Sequence, residues 1–408
     1  VTPEGTDGTE AGDLHGPVDA GRSPRRVLVV EATGACEGGA QMMLDELLHR
    51  ADPARYRLQF AGLSAGPWPE RLRDEGFPVH VVPKTRWRDV RNVASVAGSL
   101  ARIVREEHID LVHASGSDSL LFASLGARRA DVPCVWNVFD PLVGLSPRRL
   151  LTARRQVTAR MLAALRPDAV IFGTARAGDR TPVRRGTPTA TILPGIDLAR
   201  HGHGVGDRAR QELGIPAGVP VLATFGRLTF LKSQTDFVRV MAAVTREFPD
   251  AYGVICGGEG EADYGDRVRT LRHELGLEDR VLMTGFVPDR LKDDLMAAAD
   301  VVVHLARRES FGLVVVEAQA AGRTIVAADA SGPRSLIDDG VTGVLVPVGD
   351  VDRLAVVLLD LLRHPERRVA LGEQGRADSP RHGIGPMVEQ VESVWDLALD
   401  ARPGSPDR

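Results

Sequence analysis

Short apolar runs, rich in β-branched residues, alternate with longer segments of helical period from residue 25 to about residue 375. The runs include Val27–Val30, Leu111–Val112, Ala169–Phe172, Val221–Ala223, Val254–Ile255, Val301–Val303 and Thr324–Val326. A strand followed by a helix, repeated, predicts parallel sheets with helices on both faces. The runs are continuously apolar, as expected of strands covered on both sides. The fold class is therefore α/β.

The alternation breaks over residues 194–218. Pro194-Gly195-Ile196-Asp197 is followed by a polar stretch with His201, Gly202, His203, Gly204 and Gly206, then by Pro216-Ala217-Gly218. Such a stretch marks a domain boundary. With 408 residues, two domains are expected, since single cores stop growing above ~250–300 residues. We place the first over residues 25–200 and the second over 208–380. Gly383-Ile384-Gly385-Pro386 reads as a breaker run, with a last helix over about 386–400. Residues 1–24 are rich in Gly, Asp, Glu and Pro, lack an apolar leader segment, and read as a disordered tail.

Charge narrows the partners. The net charge of −4 argues against nucleic acid, which needs a dense basic face. Cys36, Cys134 and Cys256 match no metal or redox spacing and fit a reducing cytoplasm. No apolar run reaches the ~18–20 residues of a membrane span. The arginines Arg148, Arg149, Arg154, Arg155 and Arg160 are spread around a helix without an aromatic neighbour. They read as a solvated face in preference to a membrane-surface contact. Basic residues are almost all arginine. The three lysines, Lys84, Lys232 and Lys292, are therefore more informative than usual.

Candidate chemistry concentrates in the second half. Gly226-Arg227-Leu228, with Lys232, follows the strand ending near Phe225. Arg227 and Lys232 would project from the C-terminal end of a parallel strand, where open α/β sheets bind ligands. Two cations there suit a diphosphate; the alternative is a solvated turn. Glu309-Ser310-Phe311-Gly312-Leu313-Val314 leads into a helix through Glu317-Ala318-Gln319. The first amides, around Leu313 and Val314, would be free donors for phosphate. Glu309 would reach a sugar, and Glu317 would accept two hydrogen bonds from ribose hydroxyls. The alternative is a buried strand flanked by solvated acids. Gly38-Gly39, after the first strand, forms a second glycine-rich loop that would face this site across a cleft, or a structural turn. Asp350-Val351-Asp352 opens a helical pattern and reads as a cap, not a metal pair.

In this order these elements resemble the retaining GT-B glycosyltransferases of glycosyltransferase family 4. The matching pieces are Gly38-Gly39-Ala40, Leu193-Pro194-Gly195-Ile196-Asp197, Gly226-Arg227-Leu228 with Lys232, Gly285-Phe286-Val287, Glu309 through Ala318, and Asp339-Gly340-Val341-Thr342-Gly343. The resemblance implies two Rossmann-like domains facing across a cleft. The C-terminal domain would hold a nucleotide-sugar donor, such as a UDP- or GDP-sugar. The N-terminal domain would take a small-molecule or glycan acceptor, and the last helix would cross back to it. It further implies donor contacts from Gly38, Gly39, Gly226, Phe286 (near the base), Ser310, Phe311, Gly312, Leu313, Val314 and Glu317. Arg227, Lys232 and Glu309 would be the catalytic groups, with no metal and no cofactor.

Three positions depart from the family pattern. Phe139, before Asp140, replaces a histidine beside the transferred sugar. Phenylalanine cannot hydrogen-bond a hydroxyl, so either the donor lacks one there or Asp140 or His113 substitutes. Gly332-Pro333-Arg334-Ser335 lacks an acid, and His304-Leu305-Ala306 replaces a Pro-Ser pair. The expected reaction is sugar transfer to an acceptor hydroxyl with retained configuration. The alternatives are a GT-B epimerase or phosphorylase, or a sugar-nucleotide-binding protein without transferase activity.

Overall fold

The computed structural model describes residues 23–36, 39–84, 90–139, 165–174, 177–178, 181 and 183–401. The expectations for the tail through residue 22, for Gly38, for Asp140 and for the arginines at 148–160 lie outside these residues. Arg25–Glu31 (β1), Tyr56–Gly62 (β2), Val79–Val81 (β3), Leu111–Ser115 (β4), Cys134–Val138 (β5), Ala169–Phe172 (β6) and Thr189–Thr191 (β7) form one parallel sheet. Its order is β3-β2-β1-β4-β5-β6-β7. Val221–Phe225 (β8), Tyr252–Cys256 (β9), Val281–Gly285 (β10), Val301–His304 (β11), Thr324–Ala328 (β12) and Val344–Val346 (β13) form a second parallel sheet, in the order β10-β9-β8-β11-β12-β13.

Each sheet is covered on both faces, which explains the continuous apolar runs. In the first, Leu28, Val30, Val112 and Trp136 pack with Val96, Leu100 and Phe122 from two crossover helices. Val27, Val29, Leu111, Val135 and Ile171 pack on the opposite face with Leu44 and Leu47. In the second, Leu222, Val301 and Val303 meet Phe237, Met241 and Leu358. Val221, Ala223 and Val302 meet Leu295, Val315 and Val316. Both sheets reverse their strand order at one place, between β1 and β4 and between β8 and β11. Open α/β sheets bind ligands at such switch points, beyond the C-terminal strand ends.

The last helix, Ile384–Asp400, begins earlier than the sequence pattern places it. Gly385 and Pro386 lie in its first turn, where proline costs no hydrogen bond. Its apolar face belongs to the first domain's core: Met387, Val388, Val391 and Trp395 pack with Val27, Val29 and Tyr56. Polar contacts fix the docking. Trp395 Nε1 donates to His113 Nδ1 (3.0 Å), Arg55 donates to Glu392 (2.9 Å), and the Asp52 amide donates to Glu392 Oε1 (2.8 Å). The two crossings between domains run side by side. The Ile196 amide donates to His382 O (3.0 Å), and the Ile384 amide to Ile196 O (3.1 Å). Gly195 permits this approach, because a Cβ there would stand 2.7 Å from Gly383 O.

Two buried histidines sit at this junction. Burial pushes the His113 imidazole down to about 3. Burial and the neighbouring Arg381 push His382 down to about 4. Both values lie below the ordinary 6.5, so the unfolded chain takes up these protons first as pH falls. The associated stability is complete above pH 6.5 and declines as pH drops toward 4 and then 3. We expect the melting temperature to fall over that window, and to fall less in His113→Gln and His382→Gln variants after allowance for their own baselines. A melting temperature flat between pH 7.5 and 4.5 would refute this.

Candidate active site

The second sheet's switch point gathers the predicted residues. After β8 the chain passes Gly226 and Arg227 and makes a short 3₁₀ turn over Phe230–Lys232, before the helix Gln234–Glu247. After β11 it passes Leu305–Ser310 and enters the helix Leu313–Ala320 at Gly312. Gly312 has φ 101°, a left-handed conformation that glycine adopts without strain. It turns the chain sharply enough to set Glu309 against the 3₁₀ turn. Lys232 Nζ is 2.5 Å from Glu309 Oε2, and His304 Nε2 is 3.1 Å from the same oxygen. The Glu309 backbone carbonyl accepts from the Gly332 amide and Ser331 Oγ, both at 3.0 Å. These contacts fix the loop.

Burial raises the Glu309 carboxyl, but the hydrogen bond from His304 and the charge of Lys232 outweigh it and hold the group down to about 2. Glu309 is therefore a carboxylate at any working pH. It can accept hydrogen bonds and face positive charge, but it has no proton to give. Arg227 is exposed on the loop after β8 and makes no ion pair among the described residues.

Glu317 differs from the sequence expectation. It is 4% exposed, and Lys292 Nζ from the helix Asp289–Ala298 takes its Oε1 at 2.7 Å. Only Oε2 has no partner, so Glu317 offers a ligand one oxygen rather than two. The Phe311 ring is buried in the core cluster that holds Val315 and Leu336. Ser310 is exposed, Leu313 and Val314 are half-buried at the helix start, and Phe286 stands 86% exposed after β10. Asp350 caps its helix by accepting from the Arg353 amide (2.9 Å), as its helical pattern predicts.

In the first domain, Gly39 opens the helix Gly39–Arg50. Phe139 is half-buried, with its ring against Gly173 at the end of β6. His113 has no exposed surface and is held by Trp395. It is a core histidine, and in this conformation it does not substitute for the replaced one at a sugar.

Sequence reasoning missed four participants. Lys292 neutralises Glu317, and His304 binds Glu309. His201, from the interdomain segment, places Nε2 4.0 Å from Glu317 Oε1 while Nδ1 meets Asp293 (3.0 Å). Asp236 joins Arg307 and Arg239, each at 2.7 Å, and Arg307 lies over the Phe230 ring at 5.2 Å. The scarcity of lysine is the signal that points to Lys292. All three lysines pair with a carboxylate, the third being Lys84 with Asp118 at 2.8 Å.

Among the described residues no helix is long and apolar enough to cross a membrane. Residues 206–378 match the family Glycosyl transferases group 1, and residues 37–200 match Glycosyltransferase Family 4. The D-inositol 3-phosphate glycosyltransferase of Saccharomonospora viridis is 37% identical over 224 residues, covering 53% of this chain and 51% of that protein. The chain thus spans about half the length of this relative and of its counterpart from Corynebacterium kroppenstedtii. The enzyme of the same name from Kineococcus radiotolerans is 32% identical over 380 residues, 87% of this chain and 84% of that protein. Among solved structures, Anabaena HepE in complex with UDP-glucose aligns with 91% of this chain and 99% of its own, at a TM-score of 0.75 and 25% identity. Two parallel-sheet domains, a cation–carboxylate site at the second switch point and these matches lead to one conclusion: the chain belongs to glycosyltransferase family 4 and has the GT-B fold.

Proposed function

We propose that the chain transfers a sugar from a nucleoside-diphosphate sugar to an acceptor hydroxyl, with retained anomeric configuration. The observation that carries this reading is the convergence of Lys232, Glu309 and His304 at the switch point of the second sheet, with the Lys292–Glu317 pair on the adjoining helices. The donor diphosphate would lie against Lys232, Arg227 and the first amides of the helix Leu313–Ala320. Lys232 would exchange part of its contact with Glu309 for a phosphate oxygen. The free oxygen of Glu317 would take one ribose hydroxyl, and the exposed Phe286 ring would lie along the base.

As the bond from the anomeric carbon to the diphosphate oxygen breaks, negative charge grows on the leaving group beside two cations. Positive charge grows at the anomeric carbon, on the side of the ionised Glu309. The acceptor oxygen bonds to that carbon from the same face, and its proton passes to the departing phosphate oxygen. The two basic side chains supply charge stabilisation without a metal. Because HepE is named in complex with UDP-glucose and the relatives are named for D-inositol 3-phosphate, UDP-sugars and inositol phosphates are the first substrates to try. The chemistry fits a small-molecule or glycan acceptor in the cytoplasm.

A thermal-shift screen against UDP-, GDP-, ADP- and dTDP-sugars tests the donor class. A ligand at 100 times its Kd stabilises the folded state by about 2.7 kcal/mol. For a chain with domains of this size, that corresponds to a rise of roughly 5–10 °C. We expect one base to stand out, and transfer assays with that donor to follow. No shift with any of the four would remove the basis for the reading.

A further inference from the structure

We propose that Arg323 and Arg376, backed by Arg210 and Arg368, form a binding site for a phosphate-type oxyanion at the N-terminal strand ends of the second sheet. Arg227, Lys232 and Glu309 follow β8 and β11, whereas Arg323 precedes β12. The site therefore lies at the opposite end of the sheet from the candidate active site and is independent of the transfer reaction.

Strand register brings the first groups together. Asp300 and Arg323 are the residues immediately before β11 and β12. The two strands pair from Val301 with Thr324 onward, which sets Asp300 and Arg323 on neighbouring strands about 5 Å apart. The Asp300 carboxylate is already engaged. Its Oδ2 accepts from the Val221 amide at 2.9 Å and meets Arg210 at 3.5 Å, and its Oδ1 meets Arg368 at 3.3 Å. Arg210 comes from the helix Gly206–Glu212, and Arg368 from the helix Pro365–Asp378, which also carries Arg376. Gly322 leaves room for Arg376 next to Arg323: a Cβ on Gly322 would stand 3.0 Å from Arg376 Nε.

Arg323 is the group left over. It is half-buried, its Nε is buried without a hydrogen-bond partner, and its side chain makes no ion pair among the described residues. Burial, with the charges of Arg376 and Arg210, outweighs Asp300 and pushes the guanidinium below its ordinary value. The other three arginines are engaged at helix ends. Arg210 donates to Ala298 O at 3.1 Å, Arg368 to Leu361 O at 2.8 Å, and Arg376 to Ala320 O and Ala321 O at 3.4 and 3.3 Å. A helix C-terminus carries about half a negative charge. Three such ends and Asp300 offset roughly 2.5 of the four positive charges. The excess surrounds Arg323, and a desolvated charge without a partner is destabilising.

The unmet groups define the ligand. Arg323 and the exposed Arg376 offer N–H donors and no acceptor. The one hydroxyl at the start of β12, Thr324 Oγ1, already donates to Arg368 O at 2.6 Å. A neutral polyol would leave the excess charge in place, and a metal cation would be repelled. A phosphate group carries up to two negative charges and presents oxygens in several directions, so it can bridge two guanidinium forks. Both inorganic phosphate and the phosphate of a small phosphomonoester have this chemistry.

Water at the exposed edge of Arg323 is the competing account, and phosphate also stabilises folded proteins generally by exclusion from their surface. A comparison of variants separates these from a site. Melting temperatures of the full chain are measured near neutral pH and at constant ionic strength, in titrations with inorganic phosphate and separately with glycerol 3-phosphate. The chains compared are wild type, Arg323→Met and Lys232→Ala. A ligand at about ten times its Kd raises the melting temperature of domains of this size by roughly 3–6 °C. We expect wild type to show such a rise with at least one of the two ligands, Lys232→Ala to keep it, and Arg323→Met to lose most of it. A larger rise with glycerol 3-phosphate assigns the site to a phosphorylated small molecule, and a larger rise with inorganic phosphate assigns it to the free ion; both support the site. An equal rise in wild type and Arg323→Met, or no rise in wild type, overturns it. A rise lost in Lys232→Ala and kept in Arg323→Met places the phosphate at the donor site and overturns it as well. If Arg323→Met fails to fold, Arg376→Gln, a change at an exposed position, decides by the same comparison.

Discussion

Lys232→Ala is expected to lower transfer by on the order of 10²–10³-fold, the cost of removing one charged contact from a developing oxyanion. The fold should survive. Lys232 sits on a 3₁₀ turn with no buried residues, and Glu309 keeps His304 at 3.1 Å. The loss should appear mainly in kcat, because diphosphate charge grows toward the transition state and the ground-state donor retains Arg227 and the helix amides. Lys232→Arg should recover only part of the rate. The guanidinium carries the charge, but its planar fork does not reproduce a compact ammonium between a carboxylate and a phosphate. Steady-state kinetics beside circular dichroism decide the matter. A folded Lys232→Ala variant with near-normal kcat/KM would contradict the assigned role.

The second large effect concerns stability. Trp395→Ala should destabilise the protein by about 3–5 kcal/mol, the usual range for truncating a large buried aromatic. Trp395 has no exposed surface. It packs edge-on to Tyr56, with ring centres 5.1 Å apart, and it is the hydrogen-bond donor to His113 Nδ1. The variant therefore leaves a cavity and an unpaired imidazole nitrogen together. Because Trp395 belongs to the helix that returns from the second domain to the first, its loss should also loosen the hold of one domain on the other. Trp395→Phe should cost less, since an aromatic ring still fills most of the site and the loss is a smaller cavity together with the hydrogen bond to His113. Urea denaturation checks both, with the midpoint moving to lower concentration. A Trp395→Ala midpoint equal to that of wild type would show that the helix contributes little to the first core.

The strands that the hydrophobic pattern marks are mostly central ones. Val27–Val30, Ala169–Phe172, Val221–Ala223 and Val301–Val303 are covered on both faces, so burial alone dictates their composition. The runs leave out β2, β3, β5, β7, β10 and β13. Four of these are the edges of the two sheets, and an edge strand has one neighbour, partial cover and a shorter, more mixed sequence; β2 and β5 are interior, but Arg57 and Gln59 in one and Asn137 in the other break the apolar run. The start of the last helix is misplaced for a related reason. Glycine and proline read as an interruption, yet both are tolerated in a first turn whose amides have no helical partner.

Taken alone, the amino-acid order determined the α/β class, the two-domain plan and the local chemistry of the segments 226–232 and 309–317, because each depends on residues close together in the chain. Tertiary structure decided which groups meet. Lys292 lies 25 positions from Glu317, and the β1–β4–β5 register spans more than a hundred residues from Glu31 to Asn137. Such pairings depend on strand order and helix packing, which no local pattern encodes. The free oxygen of Glu317 became visible only once Lys292 was placed on the other, since an unsatisfied group is defined by what surrounds it in space.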